Sequence, residues 1–194
     1  ETLYKEMKKL LVAGLLLCVF TLGTYAQEKE KKEKLQRSLI GQRFPDFNVQ
    51  EWIGKKPKLK GKFVLVDFWC IMAYPVTHRT VPYQNSLAKK YKKNLQIVGL
   101  THDDAYIVKL VVDPDIRYYQ GIVDEEVIIN TFQLMAWPTS YLIDPDGIVV
   151  WEGNVLLEGW KDKNVFNLTE EMLEQFFKDY QKKKESKKSN SIRS

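Results

Sequence analysis

Two short apolar runs separated by a helical pattern limit the fold of this chain more than any other feature. The first run is Phe63–Trp69 and the second is Leu95–Leu100. Strands of a parallel sheet are covered on both faces, so nearly continuous apolar sequence is typical of them. Apolar residues between the two runs recur at helical spacing over 77–93: Tyr83, Leu87 and Tyr91. Strand, helix and strand in this order predict a βαβ unit and an α/β fold with a central sheet flanked by helices.

Further helical segments are predicted after this unit. Residues 103–112 read as a helix that Pro114 stops, because proline is not tolerated in a helix interior. Residues 125–132 read as a short third helix. The closing segment has Thr169 as a cap, glutamates in its first turn and one apolar face: Met172, Leu173, Phe176, Phe177 and Tyr180. This pattern predicts a final amphipathic helix.

A hairpin is predicted before the final helix. Ser140–Ile143 and Ile148–Trp151 are apolar runs on either side of the sequence Asp-Pro-Asp-Gly at 144–147. Proline and glycine at these positions suit a tight turn, so the two strands should pair antiparallel. Together with the parallel pair, they make the predicted sheet a mixed one.

The chain begins with a segment typical of a secretory signal peptide. A positive start at Met7 is followed by the apolar stretch Leu10–Gly23 and by small residues up to Ala26. We therefore expect export to the periplasm, with residues 1–6 upstream of the natural start. An uncleaved anchor is the alternative, although the stretch is shorter than the roughly 20 residues that span a bilayer. A lipoprotein signal through Cys18 is weaker, because leucines precede it where small residues are wanted.

One globular domain is predicted between charged ends. A chain of 194 residues with 44% hydrophobic content can form one domain with a core but is too short for two. Residues 27–38 are mostly charged and read as a linker. The domain is expected at 39–180, and residues 181–194 are expected to form a basic disordered tail.

The net charge of +5 is concentrated outside this predicted domain. Residues 181–194 contain six basic residues and one acidic residue, whereas residues 38–180 have a net charge of −3. This distribution argues against a nucleic-acid-binding face within the domain. We expect membrane contact only through an uncleaved leader or the basic tail, and a solvated tail is the simpler interpretation.

Four short segments occur in a characteristic order: 41–47 at the domain entry, 61–69 before the next loop, Pro82 in the following helix, and Trp137-Pro138-Thr139 before the hairpin. In this order and at these separations they resemble the thioredoxin fold, and in detail its exported TlpA-like branch of thiol-disulfide oxidoreductases. The resemblance covers about residues 40–180 and implies a thioredoxin-like fold. In that family the strand-to-helix turn presents a Cys-x-x-Cys pair at a helix N-terminus, which lowers the pKa of the first thiol.

This chain has no Cys-x-x-Cys pair at that turn. Two ways of counting give different positions for the missing pair: Ala73 and Val76 counting forward from Phe68, or Tyr74 and Thr77 counting back from Pro82. In the first count Pro75 lies where the family often has proline. No cysteine follows Cys70, so neither count supplies sulfur.

Cys70 is the only thiol that would remain after removal of the leader. It precedes the first expected cysteine position, so we expect it to lie short of the helix N-terminus and to lack activation there. A buried hydrophobic role is the interpretation that we favour. The alternative is a single-thiol site that forms mixed disulfides, with His78 as its base. A peroxidase site fits less well, since Pro-x-x-x-Thr-x-x-Cys is absent before Cys70.

Other positions match the family's site. Asp67 matches the buried acid that helps thioredoxins move protons between thiols, and burial would raise its pKa. A hydrogen-bonded structural aspartate is the alternative. Pro138 matches the cis-proline beside which relatives bind an extended peptide, so we predict a cis bond there. Aromatic side chains are expected to converge on a groove for a peptide or an apolar ligand, or else to fill the space of a lost site: Trp69, Tyr74 and Trp137.

These observations predict an exported thioredoxin-like domain without a redox-active dithiol. We expect a binding or scaffold module that holds a protein or an extended peptide at the groove around Tyr74, Trp137 and Pro138. The alternative is a thiol-disulfide oxidoreductase that acts through Cys70 alone, and a third interpretation is recent or deliberate removal of the cysteine pair. The two histidines give no metal-site pattern. Nucleotide-binding glycine patterns are absent too, so no cofactor is expected.

Overall fold

The computed structural model describes residues 38–134, 136–155 and 167–193, without the side chains of Tyr74 and residues 190–193. The predicted leader, from Met7 to Ala26, and the predicted linker up to residue 37 lie outside the described residues. Among the helices of the described segments, none combines the length and the apolar character needed to cross a bilayer.

Strands in the described residues form one mixed sheet. They are β1 (Glu51–Ile53), β2 (Phe63–Phe68), β3 (Leu95–Thr101), β4 (Tyr119–Ile122), β5 (Thr139–Ile143) and β6 (Val149–Gly153). Their order across the sheet is β1-β4-β3-β2-β5-β6. The neighbours β2, β3 and β4 run parallel, whereas β1, β5 and β6 pair antiparallel. The predicted α/β fold, its βαβ unit and its hairpin are confirmed.

Helices cover both faces of this sheet. They are a 3-10 turn (Ile71–Ala73), α1 (Tyr74–Lys90), α2 (Ala105–Lys109), α3 (Glu125–Val127) with a π-helical turn (Ile128–Phe132), and α4 (Glu170–Arg193). Pro75 lies in the first turn of α1, where a missing N–H costs no hydrogen bond. α2 begins two residues later than the predicted helix, because the carboxylate of Asp104 caps it by accepting from the N–H groups of Tyr106 (2.8 Å) and Ile107 (3.3 Å), and it ends three residues earlier, at Lys109.

Alternate residues of β2 divide the core between two faces. Phe63 and Leu65 belong to the cluster that α1 and α4 cover, through side chains such as Leu87 and Leu173. The intervening residues of β2 belong to the opposite cluster, together with Ile128, Phe132 and partly buried aromatic side chains. Every residue of β2 is buried, which explains why its sequence is apolar without alternation.

The final helix extends beyond the predicted end of the domain. α4 continues to Arg193, so the segment predicted as a disordered tail is helical through that residue. The hydroxyl of Tyr180 donates to Asp146 Oδ1 at 3.0 Å. Lys183 Nζ and Lys187 Nζ lie 3.8 and 3.9 Å from Asp146 Oδ2. These contacts hold the basic segment against the β5–β6 turn, and its long unbranched side chains favour a helix.

Candidate functional site

Three segments meet at one edge of the sheet, where β2 and β3 end and β5 begins. They are the loop at 70–73, the residues after β3 at 102–104, and the Trp137–Pro138 peptide. We call this the site edge. In open α/β sheets the carboxyl ends of parallel strands are the usual place for a binding crevice.

Asp103 holds the loop at 70–73 in place. Its Oδ2 atom accepts hydrogen bonds from the Ile71 N–H at 2.8 Å and from the Thr101 hydroxyl at 2.7 Å. The Ala73 N–H also donates to the Cys70 carbonyl at 3.1 Å, which closes the turn. Sequence reasoning missed Asp103, although a polar residue directly after a buried parallel strand was a usable signal.

Asp103→Ala is expected to expose Cys70. The change leaves the Ile71 N–H without its acceptor, at a cost of about 1–3 kcal/mol, and frees the turn. We expect the Cys70 thiol to react with Ellman's reagent at least about tenfold faster, since 1.4 kcal/mol of easier opening is a factor of ten.

Asp104→Ala is the matched control for this variant. It removes the cap of α2, worth about 1 kcal/mol, but keeps the bond to Ile71. Equal acceleration in both variants would mean that general destabilisation, and not the tether, controls access to the thiol.

Cys70 is only 5% exposed. Burial raises the pKa of its thiol above the ordinary value of 9.0; the backbone N–H groups of Ala73 and Met72 act in the opposite direction, and the charge of Asp103 adds to the rise. Cys70 lies before the 3-10 turn and before α1, whose N-cap is Ala73, and the two N–H groups that act on its sulfur belong to that turn. Burial outweighs them, and the thiol stays protonated at neutral pH.

The start of α1 carries no sulfur. Ala73 is the N-cap residue, and no side chain caps the helix there. Val76 is half-buried in the first turn and Pro75 is exposed. The predicted role of the Tyr74 side chain in the groove lies outside the described side chains.

Asp67 lies on β2 beneath α1 and is 2% exposed. Burial raises its pKa from 3.8 to about 6, although the Ser140 hydroxyl donates to Oδ1 at 2.5 Å and lowers it. Gln84 of α1 is fully buried beside it and also lowers the pKa, without a hydrogen bond of normal geometry. The carboxyl therefore changes its protonation state near neutral pH inside the core.

The peptide bond between Trp137 and Pro138 is cis, as predicted. Pro138 is buried. With the side-chain amide of Asn154 oriented so that its nitrogen points toward Pro138, this nitrogen donates to the Pro138 carbonyl. The half-buried Trp137 ring lies 5.2 Å from the His102 ring, centroid to centroid. Sequence reasoning did not place His102 here. The two rings therefore lie together beside the cis peptide bond, at the place of the predicted groove.

Trp69 does not line this groove, so that prediction was wrong. The side chain is 2% exposed and packs with Val108 and Ile122. Trp137 packs instead with the cluster on the opposite face, which contains Phe68. Successive residues of a strand point to opposite faces, which separates the two indoles.

His78 is exposed, and its Nε2 atom is 3.3 Å from Asp113 Oδ1. Its role as a base for the Cys70 thiol stays a prediction. Across the described residues, no group of three or more histidine, cysteine, aspartate or glutamate side chains is arranged to hold a metal ion.

Proteins similar to this chain match most of the domain. A model of the AhpC/TSA family matches residues 40–152. A thiol-disulfide oxidoreductase ResA of Bacillus thuringiensis subsp. konkukian is 37% identical over 128 residues, covering 63% of this chain and 72% of the relative. A ResA of Bacillus anthracis is 34% identical over 154 residues, covering 76% and 84%. A solved thiol-disulfide isomerase from Corynebacterium glutamicum, 15% identical, aligns with a TM-score of 0.52 over 72% of this chain and 95% of that one, a likeness of fold.

Proposed function

Because this chain belongs to the AhpC/TSA family, and its motifs predicted a thioredoxin-like protein, we propose that it is an exported module of that family that binds extended polypeptide segments without cycling a pair of thiols. Its relatives are named thiol-disulfide oxidoreductases. The fold is thus shared with redox proteins, and the cis bond before Pro138 remains in this chain although the Cys-x-x-Cys pair is absent.

The observation that carries this proposal is the state of Cys70. It is the only thiol in the part of the chain that the structure describes, it is buried, and its pKa is raised. Attack on a disulfide needs a thiolate that the substrate can reach. Release of product from a mixed disulfide in this family needs a second thiol, and residues after Cys70 contain none.

The groove supplies the binding surface. Trp137 and His102 form a wall of two rings, and Pro138 fixes the backbone directly before β5. An extended segment can pair with backbone groups at such a place while a side chain packs on the rings. Indole rings are frequent anchors of binding energy, because they bury a large area with few rotatable bonds.

A second candidate function is thiol-disulfide exchange through Cys70 alone. The names of the relatives favour it, and so does the pair of backbone N–H groups at the sulfur. This function requires the turn at 70–73 to open, because the thiol is covered in the closed turn.

The two functions differ in their response to Trp137→Ala and Cys70→Ala. The probe is insulin B chain, reduced and alkylated so that it has no thiol, with binding measured by fluorescence anisotropy. Trp137→Ala is expected to weaken binding at least about tenfold, the usual loss for an aromatic anchor. Cys70→Ala is expected to leave binding unchanged.

Ile40→Ala is the matched control for Trp137→Ala, because Ile40 is also an apolar side chain, 54% exposed and near the start of β6. Dithiothreitol-dependent reduction of intact insulin should stay at background for every variant. Turnover that disappears in Cys70→Ala would establish the second function instead. Binding that survives Trp137→Ala would contradict the groove.

A further inference from the structure

The loops at the sheet edge opposite the site edge are rich in lysine. The loop before β2 and the segment before β3 contain no acidic residue and nine lysines: Lys55, Lys56, Lys58, Lys60, Lys62, Lys89, Lys90, Lys92 and Lys93. Because β2 and β3 are parallel, both segments lie at the same edge. We call it the lysine edge.

The site edge has the opposite sign. The residues directly after β3 include Asp103 and Asp104, and those after β4 are Asp124, Glu125 and Glu126. Neither 102–104 nor 123–127 contains lysine or arginine. The small net charge of residues 38–180 is therefore the sum of a basic edge, where β2 and β3 begin, and an acidic edge, where β3 and β4 end. The loop before β4 is mixed, with Asp113 and Asp115 beside Arg117.

A cavity of about 540 Å³ opens at the lysine edge, between α4, the β5–β6 turn and the starts of β2 and β3. Its apolar floor includes the rings of Phe63 and Phe177, whose centroids are 4.9 Å apart. Its rim carries five ammonium groups and one carboxylate: Lys60, Lys93, Lys178, Lys182, Lys184 and Glu185. A basic rim around aromatic rings fits a ligand that is anionic at one end and apolar at the other.

α4 extends this basic surface beyond the cavity. Ion pairs neutralise part of this charge: Lys183 and Lys187 lie within 4.0 Å of Asp144 or Asp146 in the β5–β6 turn, and Lys90 is paired with Glu170. The surface stays basic because the five lysines of the cavity rim face a single carboxylate there. Over 181–193 the helix has no apolar stripe and six basic residues. The lysine edge and the end of α4 thus form one cationic surface.

We propose that the lysine edge and α4 dock on a membrane surface rich in anionic phospholipid, with the site edge facing away. Lysine side chains near an anionic bilayer are each attracted by its surface potential, and their apolar stems pack along apolar surface while the ammonium groups reach the headgroups. The acidic site edge is repelled by the same potential, so charge alone sets the orientation.

Lipid fits these observations better than nucleic acid. The cationic groups are almost all lysine, and no arginine lies on the rim, whereas arginine supplies the bidentate contacts that phosphate backbones and bases favour. The rings on the floor are packed against each other in the core cluster and are not free to stack on bases. A shallow apolar floor with a lysine rim suits the interfacial region of a bilayer.

Vesicle flotation of the full chain tests this proposal. We expect binding to vesicles of 70% phosphatidylcholine and 30% phosphatidylglycerol to exceed binding to pure phosphatidylcholine at least about tenfold, and to fall toward the neutral level in 0.5 M salt. The apolar leader is present in all samples, so the readout is the difference between the two lipids. The variant Lys60→Glu/Lys93→Glu/Lys182→Glu is expected to abolish that difference.

A matched pair of double variants controls for net charge: Lys60→Glu/Lys93→Glu changes the lysine edge, and Arg79→Glu/Lys109→Glu makes the same charge change outside it and should keep most of the lipid preference. Equal loss in both double variants would overturn the proposal, and so would duplex DNA binding at the same protein concentrations as vesicle binding. Thermal melts check folding, and Lys→Gln at positions 60, 93 and 182 gives a milder form of the triple variant. Acetylation of lysine side chains in the presence of anionic vesicles tests the orientation. Lys60 and Lys93 should be protected from the reagent and Lys109 should not, and the reverse pattern would contradict the proposed orientation.

Discussion

A chain carrying Ala73→Cys and Val76→Cys is expected to form a disulfide between the two new cysteines and to reduce insulin with dithiothreitol at least about tenfold above the unmodified chain. Ala73 is the N-cap of α1, and its side chain lies beside N–H groups of the first turn. A thiol at such a position has its pKa lowered from about 8.5 to 7.5 or below, which raises the thiolate fraction at pH 7 about tenfold. Val76 is three residues later in the same turn, within reach of a disulfide.

The same pair shifted by one residue, Tyr74→Cys with Thr77→Cys, is the matched control. Its second position is 3% exposed, and the Thr77 hydroxyl donates to the Ala73 carbonyl. We expect this pair to oxidise more slowly and to give little turnover. Quantifying free thiols after oxidation with glutathione distinguishes the variants. If the shifted pair were the active one, the count back from Pro82 would be correct, and the proposed position of the missing dithiol would be wrong.

Asp67→Asn is expected to stabilise the domain at neutral pH by up to about 3 kcal/mol, because one pKa unit corresponds to about 1.36 kcal/mol. The pKa of Asp67 is raised from 3.8 to about 6. Between these values the folded state keeps a proton that the unfolded state has lost, so the free energy of unfolding falls as pH rises. The penalty is absent below pH 4 and complete above pH 6. Asparagine has no charge to desolvate and can still accept from the Ser140 hydroxyl.

Urea unfolding at several pH values measures this effect as the difference between the two proteins. The stability gain from Asp67→Asn should be near zero at pH 4 and should reach its full value by pH 7. Ser140→Ala should extend the loss of stability to higher pH, because it removes the hydroxyl that lowers the pKa of Asp67. Asp115→Asn, at an exposed position, controls for the loss of one negative charge. A gain that does not depend on pH would show that the pKa of Asp67 is the same in the folded and unfolded states.

The elements of the fold that the sequence predicts best are those whose strands are buried on both faces. β2 and β3 read as continuous apolar runs, and the turn at 144–147 identifies the hairpin. β4 was missed because Gln120 and Gly121 interrupt its pattern, and Gly121 is required where an added Cβ would lie 2.9 Å from Val49. β1 has only three residues, too few for any periodicity.

Prediction of the site succeeded for backbone features and failed for side-chain directions. The cis bond before Pro138 followed from the family motif. The position of Trp69 was predicted wrongly because only its aromatic character was considered, and not the direction of its side chain. Side chains alternate between the two faces of a strand, so Trp69 lies on the same face as Phe63, Leu65 and Asp67. Asp103 contacts Ile71, which is 32 residues away in the sequence, and His102 contacts Trp137, which is 35 residues away. Local sequence patterns do not indicate such contacts between distant loops.

The hydrogen bond from the Ile71 N–H to Asp103 fixes the shape of the turn at 70–73, whatever reactive side chains this turn presents. The acceptor of this hydrogen bond belongs to the loop after β3, and Ala73, the N-cap residue of α1, forms no side-chain cap. Substitutions at 73–76 are therefore expected to change the stability of the fold little. Reactive groups at these positions can be lost, regained or replaced during evolution while the fold is kept. The turn at which thioredoxin-like proteins carry their reactive pair is thus held in shape here by residues outside that segment.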